Sequence, residues 1–294
     1  MPFEQGGALL EQRQQVLAHG ATVASVGRDR QSGPGLILRR VTPLSAVLIA
    51  RDEERNLPGA LESVRFCDEM VVMDAGSTDR TREVAAAAGA RVLRNEPWPG
   101  FVAQRNLAVD AARHDWVLVV DADERVSPEL REEIQAARAA GFDRAGYRIP
   151  RVAFYLGRWI RATDWYPDPQ LRLFDRTKGR WQGGLIHESV RVRGPVGRLR
   201  AELQHHPYDD IAHHMRKIDA YTTLWAREAH DAGRRTGVLE MLGAAGWALL
   251  RNYVLKGGFR LGEAGLTVSL LNAHYTHAKL AKLRELMRAD GRGR

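Results

Sequence analysis

The sequence has a single cysteine, Cys67, in 294 residues, which excludes an intrachain disulfide and fits a reducing compartment. A small buried side chain is a sufficient reading of that thiol. No stretch approaches the ~18 uninterrupted apolar residues of a membrane-spanning helix. The first twenty residues, MPFEQGGALLEQRQQVLAHG, put charges and amides where a secretory signal carries an apolar core. The expectation is a chain made and kept in the cytoplasm. Internal repeats and low-complexity tracts are also missing. So is any Cys-rich or H-E-x-x-H spacing, which sets zinc aside as a catalytic metal despite His205, His206, His213 and His214.

What is present is the composition of a globular protein, 44% hydrophobic and 27% charged, long enough for one large α/β core. The net charge is +8. Residues 245–294 hold nine basic against three acidic side chains, a local excess of six that attracts an anionic partner. Three stretches follow from the patterning. Residues 1–40 show no sustained period and read as an extension; residues 41–205 carry the α/β pattern; residues 206–294 read as a basic helical region.

From Leu44 the periodicity is that of alternating strands and helices. Leu44–Ala50, Glu69–Met73, Arg91–Arg94 and Trp116–Val120 read as short buried strands, with helical spacing between them over 57–66, from Ser77 or Thr78 to Gly89, and over 101–112. Such alternation predicts a mostly parallel sheet with helices on both faces, and ligands bind at the carboxyl ends of its strands. Three polar segments fall there: Arg51–Asn56, Asp74–Asp79 and Asp121–Glu124.

VLVVDADERV is the strongest of the three. If the strand continues, Asp121 and Asp123 share a side and can hold one hard cation, Mg²⁺ or Mn²⁺, with sites left open for diphosphate oxygens. The competing reading is an acidic pair that caps the helix from Pro128. In VVMDAGSTDRT, Asp74 ends a strand, Gly76 permits an unusual backbone, and the turn can offer a carboxylate and backbone N–H groups to a base or ribose; Asp79 suits the positive end of the following helix. In IARDEERN, Arg51, Asp52 and Glu53 either contact a nucleoside or form a solvated loop.

LSAVLIARDEERNL, EMVVMDAGSTDRT, GFVAQRN and WVLVVDADE, in that order, resemble family 2 glycosyltransferases with the GT-A fold. The resemblance implies that Arg51, Asp52, Glu53, Asp74 and Gly76 line the donor pocket. It also implies that Asp121 approaches ribose and diphosphate, that Asp123 binds the metal, and that Arg105 meets the diphosphate. Many members carry a second acid where this chain has Ala75. WYPDPQLRLFDRTKGRWQGGLIHESV, followed by HHPYDD and the basic tail, is similar to a narrower branch that includes lipopolysaccharide core heptose glucosyltransferases. That branch implies inverting transfer of a hexose, glucose by expectation, from a UDP-sugar to a glycan or lipid-linked acceptor at the cytoplasmic face of the inner membrane. Glu188 and Asp168 are the candidates for the base that takes the acceptor proton, with Glu188 preferred. His187 is a candidate metal ligand.

The aromatic stretch Phe154, Tyr155, Trp159, Trp165 and Tyr166 reads either as a sugar platform or as packing for the tail. Trp247, Leu250, Tyr253, Val254 and Phe259, with Arg251, Lys256 and Arg260, suit a helix at a membrane interface. The rivals are a nucleotidyltransferase, which would need a glycine-rich loop where RDEERN stands, and an inactive nucleotide-sugar-binding protein on the same fold. Nucleic acid is not expected as a partner, because the acidic loops repel phosphate without a metal.

Overall fold

Four short apolar segments build the centre of the molecule. In the computed structural model, which describes residues 41–183 and 188–291, they are β1 (Leu44–Ala50), β2 (Glu69–Asp74), β3 (Arg91–Arg94) and β4 (Trp116–Val119). They lie parallel in the order β3-β2-β1-β4, with Val47 beside Val71 on one flank and Val119 on the other. Residues 1–40 and His187 lie outside the described residues.

Alternation along these strands explains why the sheet is covered on both sides. Leu44, Ala46 and Leu48 face one core with Leu57 and Leu61 of α1 (Leu57–Ser63), Ala85 of α2 (Thr81–Ala87), and Leu130 and Ile134 of α4 (Pro128–Ala139). Val47, Val117 and Val119 face the other, against Ala108 and Val109 of α3 (Phe101–Ala111). Helix α4 starts where Ser127 accepts from the Leu130 amide at 3.1 Å, so serine and not the upstream acidic pair is its cap. Helix α2 starts later than the sequence predicts, at Thr81, and neither Ser77 nor Thr78 caps it.

Beyond β4 the sheet turns antiparallel. Strand β8 (Asp168–Asp175) pairs with β4 and with β6 (Gly146–Tyr155); β12 (Leu203–His205) then lies parallel to β6 and antiparallel to β5 (Glu124–Val126). Short strands β7 (Arg158–Ile160) and β11 (Val196–Arg198) add to β6, and β9 (Gly179–Gln182) pairs with β10 (Ser189–Val192) as a separate ribbon. The fold is α/β of the GT-A kind, a mixed and mostly parallel sheet with a helical C-terminal region.

That region comprises α5 (Ile211–Asp231), α6 (Val238–Leu250), a π-helical turn at Arg251–Leu255, and α7 (Gly262–Ala289). Ala264 and Val268 of α7 pack on Tyr155 and Ile160, so Tyr155 serves as packing for the tail and not as an open platform, while Trp165 stays half-buried at the edge of that cluster. Gly265 lets α7 approach the turn before it closely: a side chain there would meet the Gly258 carbonyl.

Candidate active site

The chain steps outward from β1 to β2 and β3, then crosses back to β4 on the other side of β1. The crevice at the carboxyl ends of β1 and β4 is therefore a topological switch point, where sheets of this kind bind ligands. A cleft of about 690 Å³ opens there. Arg51 and Glu53 enter it from the loop after β1, Asp121 and Asp123 from the turn after β4, and Arg105 from α3. Arg172 of β8, Trp181 of β9, Glu188 and His205 complete the polar wall.

The two acidic residues of the D-x-D segment do different work. Strand β4 ends at Val119, so Asp121–Asp123 forms a turn and strand alternation does not set their directions. Asp121 faces two guanidinium groups, Arg105 Nη1 at 2.7 Å from Oδ1 and Arg172 Nη2 at 2.6 Å from Oδ2. Burial alone would raise its pKa, but Arg105 and Arg172 outweigh that and hold the carboxyl well below the usual range. Both of its oxygens are engaged by cations. Asp123 has no arginine within ion-pair distance among the described residues and lies beside His205 instead. Burial opposes its ionisation as well, and His205, with Nε2 at 3.3 Å from Oδ2, brings the pKa below the ordinary value.

Glu124, absent from the predicted site, is the hub beneath it. It is fully buried, accepts from the Asp121 amide at 3.0 Å, and meets Arg172 Nη2 at 2.7 Å and Arg151 Nη1 at 3.0 Å. Arg105 and Arg172 both lie against the Trp181 ring, at 4.4 and 5.8 Å from its centre. Arg105 Nη1 and Asp121 Oδ1 are close but off the hydrogen-bond axis; Arg105 Nε and Arg172 Nε are also buried without an aligned partner among the described residues. A charged cluster held this way is primed for an anion.

Several of the residues predicted for the donor pocket are engaged in hydrogen bonds within and between the loops. Asp74 is wholly buried and accepts from the Gly76 and Ser77 amides, and Ala75 takes the place in the cleft wall. Gly76, at φ +83°, makes the turn, and a side chain there would meet Glu96. Asp52 accepts from the Thr78 amide at 2.7 Å while its own amide donates to Ser77 Oγ at 3.0 Å. Asp79 accepts from the Thr81 amide at the helix start and from the Glu54 amide, so the loops after β1 and β2 are stitched together. Glu53 is half-buried in the cleft, and burial raises its pKa, with the nearby Asp123 adding to the rise.

The two base candidates separate clearly. Glu188 lines the cleft, half-buried. Asp168 lies outside the lining and is held by Arg151 Nη2 at 2.6 Å and Gln170 Nε2 at 2.5 Å. Lys217 and Tyr221, one helical turn apart on α5, close the cleft opposite the sheet. A charged side chain inside an apolar strand, as in LRLF, was the signal for Arg172; nothing local marked Lys217 or Tyr221. His213 sits beside Asp209 at 3.2 Å, but the described residues contain no group of three or more metal-binding side chains.

Residues 45–200 match the family described as Glycosyl transferase family 2. The chain is 30% identical over 247 residues to the lipopolysaccharide core biosynthesis glycosyltransferase LpsC of Rhizobium meliloti, covering 82% of this chain and 92% of that one. An uncharacterized glycosyltransferase of Rickettsia typhi is 28% identical over 83% of this chain and 87% of its own. Among solved structures, glucosyl-3-phosphoglycerate synthase from Mycobacterium tuberculosis, crystallised with Mn²⁺ and UDP-glucose, aligns at 26% identity and a TM-score of 0.32. That alignment covers 40% of this chain and 44% of the synthase, so the chain spans less than half of that protein's length. By the matched span and by the relative aligned over nearly its whole length, this chain belongs to glycosyltransferase family 2.

Proposed function

We propose that the protein is an inverting, metal-dependent sugar transferase that moves a hexose, glucose by expectation, from a nucleoside diphosphate sugar, first of all UDP-sugar, to a cell-envelope glycan. The observation that carries this reading is the cleft itself. A carboxylate–imidazole pair, a double-arginine wall and a separate carboxylate converge there at the switch point of the sheet. The similarity to a lipopolysaccharide core enzyme supports the acceptor class.

The residues fit a divalent cation held by few protein atoms. Asp123 and His205 offer converging oxygen and nitrogen donors, and a hard cation of this kind takes its other ligands from phosphate and water. Bound there, it would neutralise charge on the leaving diphosphate. Arg105 and Arg172 present buried, unsatisfied N–H groups that a diphosphate oxygen would satisfy. Glu188 takes the proton of the acceptor hydroxyl as its oxygen bonds to the anomeric carbon. The bond from that carbon to the diphosphate oxygen breaks with its electron pair on the leaving group, and the configuration inverts.

Calorimetry with a panel of nucleoside diphosphates and nucleotide sugars, with and without Mn²⁺, tests the donor assignment. Metal-dependent binding of one nucleotide family is expected, and it should vanish in Asp123→Ala. A folded wild-type protein that binds no nucleotide with metal present would sink the reading.

We also read the outer face of α6 and the π-helical turn as a membrane-surface contact. Leu239, Leu242, Trp247, Leu250 and Val254 are exposed there, and the exposed Phe259 with Arg260 beside it follows in the next turn, Gly258–Leu261. No described helix is long and apolar enough to cross a membrane. Co-sedimentation with phosphatidylglycerol vesicles should exceed that with phosphatidylcholine, and the double substitution Leu239→Glu, Leu242→Glu should abolish it. Equal sedimentation of wild type and double variant would remove this face as the contact.

A further inference from the structure

A second cavity of about 230 Å³ opens between α5, α7 and the short turn at Thr163–Trp165. Tyr208, Lys217 and Tyr221 line both this space and the larger cleft, so the two meet along a common wall. The donor chemistry argued above uses none of the small cavity.

Its walls are rings with polar edges. Tyr208 stacks on His214 with centres 3.9 Å apart, and Trp165 lies 5.8 Å from Tyr208. One side is fixed by a chain of amides. Trp165 Nε1 donates to Asn272 at 3.1 Å, Asn272 to Asn252 at 2.9 Å, and the buried Asn252 to Asp164 at 2.9 Å. These contacts set the ring before any ligand arrives.

The cavity is neutral except at one point. Burial lowers the His214 pKa to about 4, so the ring is uncharged near neutral pH. Burial raises the phenols of Tyr208 and Tyr275, and burial together with the charge of Glu188 raises that of Tyr221. All three are then neutral hydroxyls. Lys217 is the one formally charged lining residue. Its ammonium donates to the Pro207 carbonyl at 2.9 Å and lies 5.3 Å from the Tyr208 ring. No carboxylate among the described residues comes within ion-pair distance of it. Arg105, Arg172 and Arg151, by contrast, each have an acid within ion-pair distance.

Aromatic walls with a few fixed hydroxyl and amide groups suit a pyranose ring, and an ammonium with N–H groups left beyond its bond to the Pro207 carbonyl adds a preference for negative charge. We propose that this cavity is the acceptor subsite, holding a sugar ring with an anionic substituent, phosphate or carboxylate, against Lys217. The shared wall of Tyr208 and Tyr221 then directs the ring's hydroxyl toward Glu188 in the cleft. This assignment rests on the transferase reading above.

The test uses the full chain labelled with 5-fluorotryptophan, with the Trp165 and Trp181 resonances assigned from single Trp→Phe variants. Glucose 6-phosphate, glucuronic acid and methyl glucoside are titrated separately, and UDP with Mg²⁺ is titrated as the probe of the donor site. An anionic fragment should move the Trp165 resonance and bind about tenfold more tightly than methyl glucoside, the scale of one charged hydrogen bond. Whichever of the two anions binds more tightly names the substituent. Lys217→Met should erase the preference for charge. Leu271→Phe, which fills the cavity, should abolish the fragment response while UDP still moves Trp181. Three results would overturn the assignment: no movement of Trp165 with either anion, equal affinity for the neutral sugar, or an unchanged fragment response in Leu271→Phe. Absence of a UDP response in the wild type strikes the transferase reading instead.

Discussion

Replacing Glu188 by glutamine is expected to lower kcat by about 10²- to 10⁴-fold, the span removed with a general base, while nucleotide affinity stays unchanged. The substitution keeps the shape of the side chain and removes only its capacity to take a proton. Glu188 is suited to the task because it stands half-buried in the cleft wall. Asp168 is not, because Arg151 and Gln170 occupy its oxygens at 2.5–2.9 Å. Asp168→Asn should therefore cost far less, through a loosened Arg151. Single-turnover transfer measured on both variants, with the product anomer read by NMR, decides between them. A normal rate in Glu188→Gln beside a collapsed rate in Asp168→Asn would reverse the assignment.

The parts of this site that were legible in the sequence are those where local pattern and fold coincide. Leu44–Ala50 and Trp116–Val119 are short, uninterrupted apolar runs, and a run of that kind followed by a polar cluster predicts both the strand and the position of its exit loop. Arg51, Glu53, Asp121 and Asp123 were placed correctly at one sheet edge for this reason. Their individual duties were not legible. Whether Asp121 meets a metal or a guanidinium depends on Arg172, which lies 51 positions away and reaches it only once β8 has paired with β4. The burial of Asp74 and the two amides that donate to it were likewise not legible, because they depend on how the turn at Gly76 closes. The short strands β5, β7, β9, β11 and β12 are three or four residues long. That is too short for a period to show, and tertiary pairing alone defines them.

Arg172→Met is expected to destabilise the fold by about 3 kcal/mol, the lower end for removing one partner of a buried ion pair. The buried guanidinium of Arg172 touches Asp121 and Glu124, and the Glu124 side chain has no solvent exposure at all. Methionine fills the volume and leaves both acids to their remaining partners, Arg105 for Asp121 and Arg151 for Glu124. Those partners explain why the low end of the range applies. The loss should depend on pH in a defined direction. The folded-state pKa of Asp121 lies below its unfolded value, so its ion-pair stabilisation is fully present above the unfolded pKa and disappears as pH falls through the folded one. Without Arg172 the folded pKa moves back up. The gap in stability between wild type and Arg172→Met should then be widest near neutral pH and narrow below about pH 4, where carboxylates of ordinary pKa protonate. Urea unfolding of both proteins across that range measures it. A gap that is small and flat with pH would mean that Arg172 packs against Trp181 without holding the charge of the turn. Adding Glu124→Gln to Arg172→Met should recover part of the lost stability, because it removes the acid of the two that has no solvent exposure.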